Sequence, residues 1–576
     1  VNSRCKSAKS TFKKKVNYKK GFKGSYTYNK LGVVSFDDIG FDSFKCDGKN
    51  AFRHNRKANV RISTRRQRFS KPPEVATDFY YEFDEIFRHF EEFDLPSYVI
   101  VDGCYDTNKH TIQKQIDCRN FSGRELPNVD DYILLSQSVR DTIRKLKITN
   151  LGEVNEEMLY DFDFDLDTKP GYRFEHYFKA NKKRDCVDVA MNIAKKRYRS
   201  ILKASRKGNK IKREDIIPGI YTIGARNKRE TSCEVGEVLT SRAVHMPEWH
   251  TELHGGIFSD LITEKIVDSS EGPIYIGNSF VKFERLEKQI KQNEFAFEGD
   301  WKKFDASLCN SLVVMSLCIL RLYFPMGLLY DNHFLAILDS LVLKDYHVVG
   351  GNVLRILHGL PSGSKWTSLV GSVLNLLVLN YVFSDVKYYD RSFAIGGDDF
   401  VTFVKENNYD AELIADKAIE KCSDVGMELK FLKTKRYKNS NNIDDYPVFY
   451  KYTVFKGVPV TPVESILERC LAPWNKKYKS NAEVLRFLDN LLPSLAFPSS
   501  SCYIFYYFYM YCYFRVTGKK VVVEDLVRKH YFLYRRMLAT GVDPPFLSSS
   551  YNFNKRNTFV KDIKTSRYMK DVFVIG

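Results

Sequence analysis

The sequence predicts an α+β fold in which an antiparallel sheet is flanked by helices, and three stretches carry that prediction. Ser392-Phe393-Ala394-Ile395 and Val401-Thr402-Phe403-Val404 read as two strands joined by a tight turn within Gly396-Gly397-Asp398-Asp399-Phe400. Glycine permits the φ > 0 that such turns demand, and alternating β-branched and aromatic residues suit a half-buried sheet. Phe295-Ala296-Phe297-Glu298-Gly299 alternates like a further strand and delivers Asp300 at its end. From Glu298 onward the pattern runs strand, long helix, hairpin, helix and strand. At 576 residues, with 44% of them hydrophobic, the chain exceeds the roughly 100 to 200 residues of one domain, so several subdomains sharing an extended core are expected.

Residues 1 to 75 form a basic extension. Residues 1 to 72 hold 20 Lys/Arg against 4 Asp, a local balance of +16 within a chain of net charge +19, and that sign points to a polyanion such as nucleic acid. Such a segment is either disordered or solvated, or an ordered, wrapped extension that touches nucleic acid. After Pro72-Pro73 the stretch 74 to 94 turns acidic around a helical aromatic pattern, Phe79-Tyr80-Tyr81, Phe83, Ile86-Phe87 and Phe90. A second basic zone, Lys182-Lys183-Arg184, Lys195-Lys196-Arg197, Arg199, Lys210, Lys212 and Arg213, reads most plainly as a solvated face. After Pro447 the chain is expected to be largely helical and aromatic. The apolar run Cys502 to Phe514 stops at Arg515, short of the ~20 residues that span a bilayer, and suggests a packed helix. A tail follows Pro544-Pro545 and carries Tyr551, Phe553 and Tyr568. The 12 cysteines are scattered without zinc or disulfide spacing, so reduced thiols are expected. The start at Val1 leads into lysines rather than the apolar stretch of a signal peptide.

Two adjacent carboxylates at a hairpin tip repel and raise each other's pKa, and a bound cation relieves this. A solvated Asp-Asp turn has the same local sequence. Asp300 on a strand end beside that hairpin can complete the oxygen-rich shell that Mg²⁺ prefers. Asp305, five residues on, lies beyond it toward a bound sugar. In Ser362-Gly363-Ser364-Lys365-Trp366-Thr367 a loop runs into an apolar helix on which Thr367, Gly371 and Asn375 recur every four residues as one small, polar face. Such a face lets a base pair and ribose lie close, although a capped helix with small packing residues reads the same way.

Asp300-x4-Asp305, then Ser362-Gly363-x3-Thr367-x7-Asn375, then Gly397-Asp398-Asp399, in that order, resemble motifs A, B and C of viral RNA-dependent RNA polymerases. The wording of the second is most similar to small double-stranded RNA viruses of the partitivirus and picobirnavirus kind. Gly224 to Glu230 and Gly236 to Val244 are similar to motif F, which implies that Arg226, Lys228, Arg229 and Arg242 line the nucleotide channel. Gly426 to Lys435 resembles motif D and implies Lys433, with Lys435 beside it, as proton donor to pyrophosphate. Val448-Phe449-Tyr450-Lys451-Tyr452 fits motif E loosely. Picornavirus-like polymerases carry Asn four residues after the motif B Thr, where this chain has Gly371.

The resemblance implies a right-hand polymerase fold: fingers at 76–293, palm at 294–323, a fingers insertion at 324–357, palm again at 358–452, thumb at 453–545 and a tail at 546–576. It implies RNA-directed RNA synthesis with Mg²⁺ (or Mn²⁺) held by Asp300, Asp398 and Asp399. Asp305, Ser362, Gly363, Thr367 and Asn375 would contact the nucleotide. The expected partners are RNA template and product, nucleoside triphosphates and a viral capsid protein, with no membrane, in the virion interior and host cytoplasm. Reverse transcriptase is the nearer rival. Diguanylate cyclases share a similar acidic turn but place their first metal aspartate much nearer than the 98 residues between Asp300 and Asp398. A basic, capsid-associated RNA-binding protein accounts for the charge alone.

Overall fold

The computed structural model describes residues 98–101, 132–460 with short interruptions (162–163, 227, 232–241, 270, 277–278, 349–351, 357–358, 407 and 456–457), and 517–519. The basic extension, the aromatic pattern at 74–94, the run Cys502 to Phe514 and the tail lie outside the described residues.

The first half comprises β1 (Tyr98–Val101), α1 (Tyr132–Leu146), α2 (Tyr172–Tyr177), α3 (Val187–Arg206), β2 (Ile220–Arg226), β3 (Lys228–Thr231), β4 (Arg242–Met246), α4 (Trp249–Asp268) and α5 (Ser279–Gln292). Helix α3 is amphipathic: Ala190, Met191, Ala194, Tyr198 and Ile201 recur at helical spacing and are buried. The second basic zone therefore divides. Lys196, Lys210 and Lys212 are exposed. Arg197, in contrast, is buried and donates to the Ile217 and Ala336 carbonyls at 2.9 and 2.7 Å. Arg213 is inward too, bonding Asp339 at 3.0 Å and Asp345 at 2.7 Å. Sequence read all of these as one kind of charge; the helical period assigns some to the core side.

The second half comprises β5 (Phe295–Trp301), α6 (Phe304–Ser307), α7 (Asn310–Arg321), α8 (Leu328–Val342), β6 (Lys344–Val348), β7 (Asn352–Ile356), α9 (Lys365–Val382), β8 (Arg391–Gly396), β9 (Asp399–Val404), α10 (Ala411–Asp424), β10 (Leu429–Lys435), β11 (Thr453–Phe455) and β12 (Val458–Val460). One sheet, ordered β10-β5-β9-β8, is antiparallel throughout, as expected. A second, ordered β4-β2-β6-β7, contains a parallel pairing of β2 with β6. The β6-β7 hairpin thus joins strands more than a hundred residues upstream. Just beyond Pro447, where helix was expected, the chain instead makes the antiparallel pair β11-β12.

Helix α9 is the buried element against which the first sheet packs. Ser364 caps it by accepting from the Trp366 N–H at 3.3 Å, and from Leu369 to Val382 every residue is buried. A helix apolar all round belongs in a core. One face of the β5-β9-β8 sheet packs into that core, with the Phe297 ring 5.3 Å from Phe383. The opposite face, through Ala296, Ala394, Val401 and Phe403, is covered by Leu286 and Ile290 of α5 and by Tyr446 and Phe449. Each such aromatic or aliphatic side chain contributes about 1.5–3 kcal/mol on burial. Toward the ends of β5 and β9 the apolar cover gives way to acidic residues.

Candidate active site

The β8-β9 hairpin places the paired acids. Gly396 and Asp399 oppose each other across the ladder, so Gly397 and Asp398 form a two-residue turn. Gly397 takes φ +67°, the left-handed conformation open to glycine. Asp398 is exposed and Asp399 half-buried. On the neighbouring strand, Glu298 is opposite Val401 and Gly299 opposite Phe400. Strand alternation therefore sets Glu298 and Asp300 on the same face as Asp399. Close approach requires glycine here: a Cβ on Gly299 would lie 2.2 Å from the Phe400 ring, and one on Gly396 would lie 1.8 Å from the Tyr450 hydroxyl.

The turn itself is gripped by α9. The Gly397 N–H donates to Ser372 Oγ at 2.8 Å, and Asn375 Nδ2 donates to the Gly397 carbonyl at 2.9 Å and the Asp398 carbonyl at 3.4 Å. Trp301 Nε1–H, from the residue after Asp300, donates to Asn375 Oδ1 at 3.0 Å.

The carboxylates feel one another. Burial, then Asp398 and Asp300, with a smaller push from Glu298, raises Asp399 to about 6 against the pull of Lys451. Burial, then Asp399 and Asp398, raises the Tyr450 hydroxyl. Lys430 Nζ lies 3.3 Å from Asp300 Oδ2, and Lys435 lies 3.6 Å from Glu298. Lys433 is opposite Glu298 in the ladder, but its ammonium sits 5.0 Å above the Phe431 ring. The register shifts between Leu429 and Phe431, and Lys430 sits at that irregularity, which sequence periodicity could not reveal.

An all-carboxylate set in which Asp399 is raised by burial and by its acidic neighbours fits a hard divalent cation. Among the described residues no three such side chains close into a cage by themselves. A divalent ion held by such acids would take its remaining oxygens from substrate phosphate and water.

The loop before α9 is fixed to its surroundings. Leu360 N–H donates to the Asp305 carbonyl at 2.8 Å, and Gly359 N–H to the Leu308 carbonyl at 3.0 Å. Asp305 is half-buried on the short α6. Ser362 and Thr367 are half-buried and Gly363 is exposed. The Thr367 hydroxyl donates to the Pro361 carbonyl, closing the loop on itself. Gly371 faces protein: its Cβ would be 3.4 Å from the Phe304 ring. Asn375 is buried beneath the turn, so along the four-residue face Thr367 is half-buried while Gly371 and Asn375 are enclosed by protein.

The predicted cations lie on strands of two separate sheets. Arg226 and Arg242 are paired across β2 and β4, while Lys228 and Arg229 pair with Val101 and Ile100. Strand β4 also holds the loop: His245 N–H donates to the Ser362 carbonyl at 2.9 Å, and Ser362 Oγ to the Ala243 carbonyl at 3.4 Å. Thus the Arg242 strand and the Ser362 loop form one structural unit. Sequence missed Ser372, Lys430 and Tyr450 as neighbours of the acids; the motif words contain all three, but nothing local marks their contacts.

No curated protein matches the chain. Residues 107–468, well over half of its length, match the family described as viral RNA-dependent RNA polymerase, and with the acids, the helix and the basic strands assembled in that region the chain belongs to that family and is an RNA-directed RNA polymerase.

Proposed function

We propose that this polymerase replicates and transcribes the genome of a small double-stranded RNA virus, of the partitivirus or picobirnavirus kind, by nucleotidyl transfer at Asp300, Asp398 and Asp399. The observation that carries the chemistry is the convergence of these acids from adjacent strands, with Asp399 on the face of β9 that Asp300 shares on β5; burial, then Asp398 and Asp300, raises Asp399 to about 6. Asp300 and Asp398 would hold the ions directly and Asp399 would assist from beside them. Bound there, Mg²⁺ or Mn²⁺ supplies Lewis-acid activation of the 3′-hydroxyl and charge neutralisation at the phosphates.

The remaining residues position the substrates. Phosphoryl transfer asks a protein mainly for alignment and electrostatics. Asp305, Ser362, Gly363 and Thr367 border the ribose and the nascent base pair. Arg226, Lys228, Arg229 and Arg242 draw the triphosphate, and Lys433 gives a proton to the departing pyrophosphate. The fingers, palm and thumb follow the boundaries set by the motifs. The basic extension wraps the fingers or grips RNA, a capsid protein is a partner of the enzyme, and the enzyme works inside the virion and in the host cytoplasm.

Nucleotide incorporation on single- and double-stranded RNA templates, with Mg²⁺, Mn²⁺ or EDTA, tests this reading. Divalent-dependent copying of both template forms is expected, with loss of synthesis in Asp300→Asn. Metal-independent synthesis, or full activity in that variant, would sink the site assignment; failure on double-stranded RNA would sink the genome assignment alone.

A further inference from the structure

We infer that Ser372 and Asn375 are positioning residues that fix the spacing between Asp300 and the Asp398 turn, and that Asn375 does not contact the nucleotide. This rests on the reading of Asp300 and Asp398 as metal ligands.

Asp398 is exposed, so packing of its own side chain does not set its place. Its place is set by the turn backbone. Of that turn, the Gly397 N–H is bound by Ser372, and the Gly397 and Asp398 carbonyls by Asn375. Ser372 and Asn375 are three apart on α9, which puts them on one helix face. Both are fully buried. Ser372 is itself oriented, donating to the Ser368 carbonyl at 2.6 Å.

The other end of the Asn375 amide reaches the second acid-bearing strand. Its Oδ1 accepts from Trp301, whose neighbour in sequence is Asp300. One side chain thereby spans both strands, holding β5 through its oxygen and the turn through its nitrogen. An amide is the side chain that can do this, because it offers an acceptor and a donor a fixed distance apart. Hydrogen bonds behind metal ligands orient them, and removing such a partner typically lowers metal affinity or activity about 10–100-fold. The same burial denies a ribose any access to the amide. Ribose discrimination therefore falls to the more accessible Asp305, Ser362 and Thr367.

The test is Asn375→Asp in the full chain, which keeps the acceptor for Trp301 but opposes an oxygen to the Gly397 carbonyl. Ser372→Ala and Trp301→Phe are made alongside it, so that failure of one variant to fold leaves the other two to decide. Mn²⁺ binding to the RNA-free protein is followed by electron paramagnetic resonance. Primer extension gives kcat, the KM for nucleoside triphosphate and the preference for ribo- over deoxyribonucleotides. We expect about 10-fold weaker Mn²⁺ binding and a similar loss in kcat, with KM and sugar preference within about two-fold of wild type. Unchanged Mn²⁺ affinity in the variants that fold would overturn the inference, and a collapsed sugar preference would restore Asn375 as a nucleotide contact. If the wild-type protein neither binds Mn²⁺ nor extends RNA, the metal-site reading itself fails.

Discussion

Gly363 shows how little freedom the site allows at single positions. It adopts φ +146°, and a Cβ there would lie 2.3 Å from the His245 carbonyl oxygen. Gly363→Ala should destabilise the chain by about 2 kcal/mol, since backbone strain of this kind costs roughly 1–3 kcal/mol; equilibrium urea unfolding measures it, and an unchanged midpoint would contradict the tight seating of the loop. Tyr450 and Lys451 show a related strain. Both have φ > 0 in the turn closed by reciprocal Phe449 and Tyr452 bonds of 2.7 and 3.0 Å. That turn carries the Tyr450 hydroxyl onto Gly396. At this scale Asp300, Asp398 and Asp399 were legible because strand alternation and turn chemistry are local. Lys430 and Ser372 were not: one depends on a register shift and the other on a contact with a turn 25 residues away. For Asn375 the four-residue spacing gave the correct helix face. Spacing cannot say what lies opposite a face, and there it proved to be the turn.

Helix α4 joins the basic strands to α9 through groups that are costly to bury alone. Glu248, at its start, is enclosed with Arg173, whose Nε donates to both carboxylate oxygens at 2.8 Å, and it also accepts from the Arg173 and Ile220 N–H groups. Burial alone would raise Glu248, but Arg173 holds it below the usual carboxylate range. Glu248→Ala leaves Arg173 buried and uncompensated, so a loss of about 3–5 kcal/mol is expected in denaturant unfolding. Farther along, Glu252 accepts from Ser364 Oγ at 2.8 Å and from the Lys365 N–H at 2.7 Å, tying α4 to the start of α9. Three histidines, His250 and His254 on α4 and His333 on α8, are buried. Burial, aided by nearby arginines, lowers all three, His250 and His333 to about 3. Between that value and the ordinary ~6.5 the unfolded chain binds more protons than the folded one, so stability is lost as pH falls through this window. Each histidine adds at most about 1.4 kcal/mol per pH unit. Unfolding at pH 7.5 and 5.5 should show the drop, and His333→Gln should make it shallower; equal slopes would place the acid sensitivity elsewhere.

Among the described residues, one sheet carries the acids, one buried helix holds their turn, and a second sheet brings the Arg226 and Arg242 strands to the loop before that helix. The first arrangement was largely readable, because hairpin and helix signals are strong and close in sequence. The second was not, since β6 finds β2 only through a pairing that joins Asp345 to Ile220 across the fold. The family membership sets the reverse transcriptase, cyclase and non-enzymatic readings aside. With a net charge of +19, RNA affinity should fall steeply with salt and show little sequence preference, because phosphate neutralisation reads no bases. Removing residues 1 to 72, with their balance of +16, should weaken RNA binding and flatten that salt dependence in filter-binding titrations. The central claim is that the exposed acid of the turn holds a catalytic ion. Its most direct test is Mg²⁺-dependent, RNA-templated incorporation by wild type and Asp398→Ala, with thermal melting measured on both. The expected result is a variant that melts like wild type and extends no RNA; near-normal synthesis by a folded Asp398→Ala protein would contradict it.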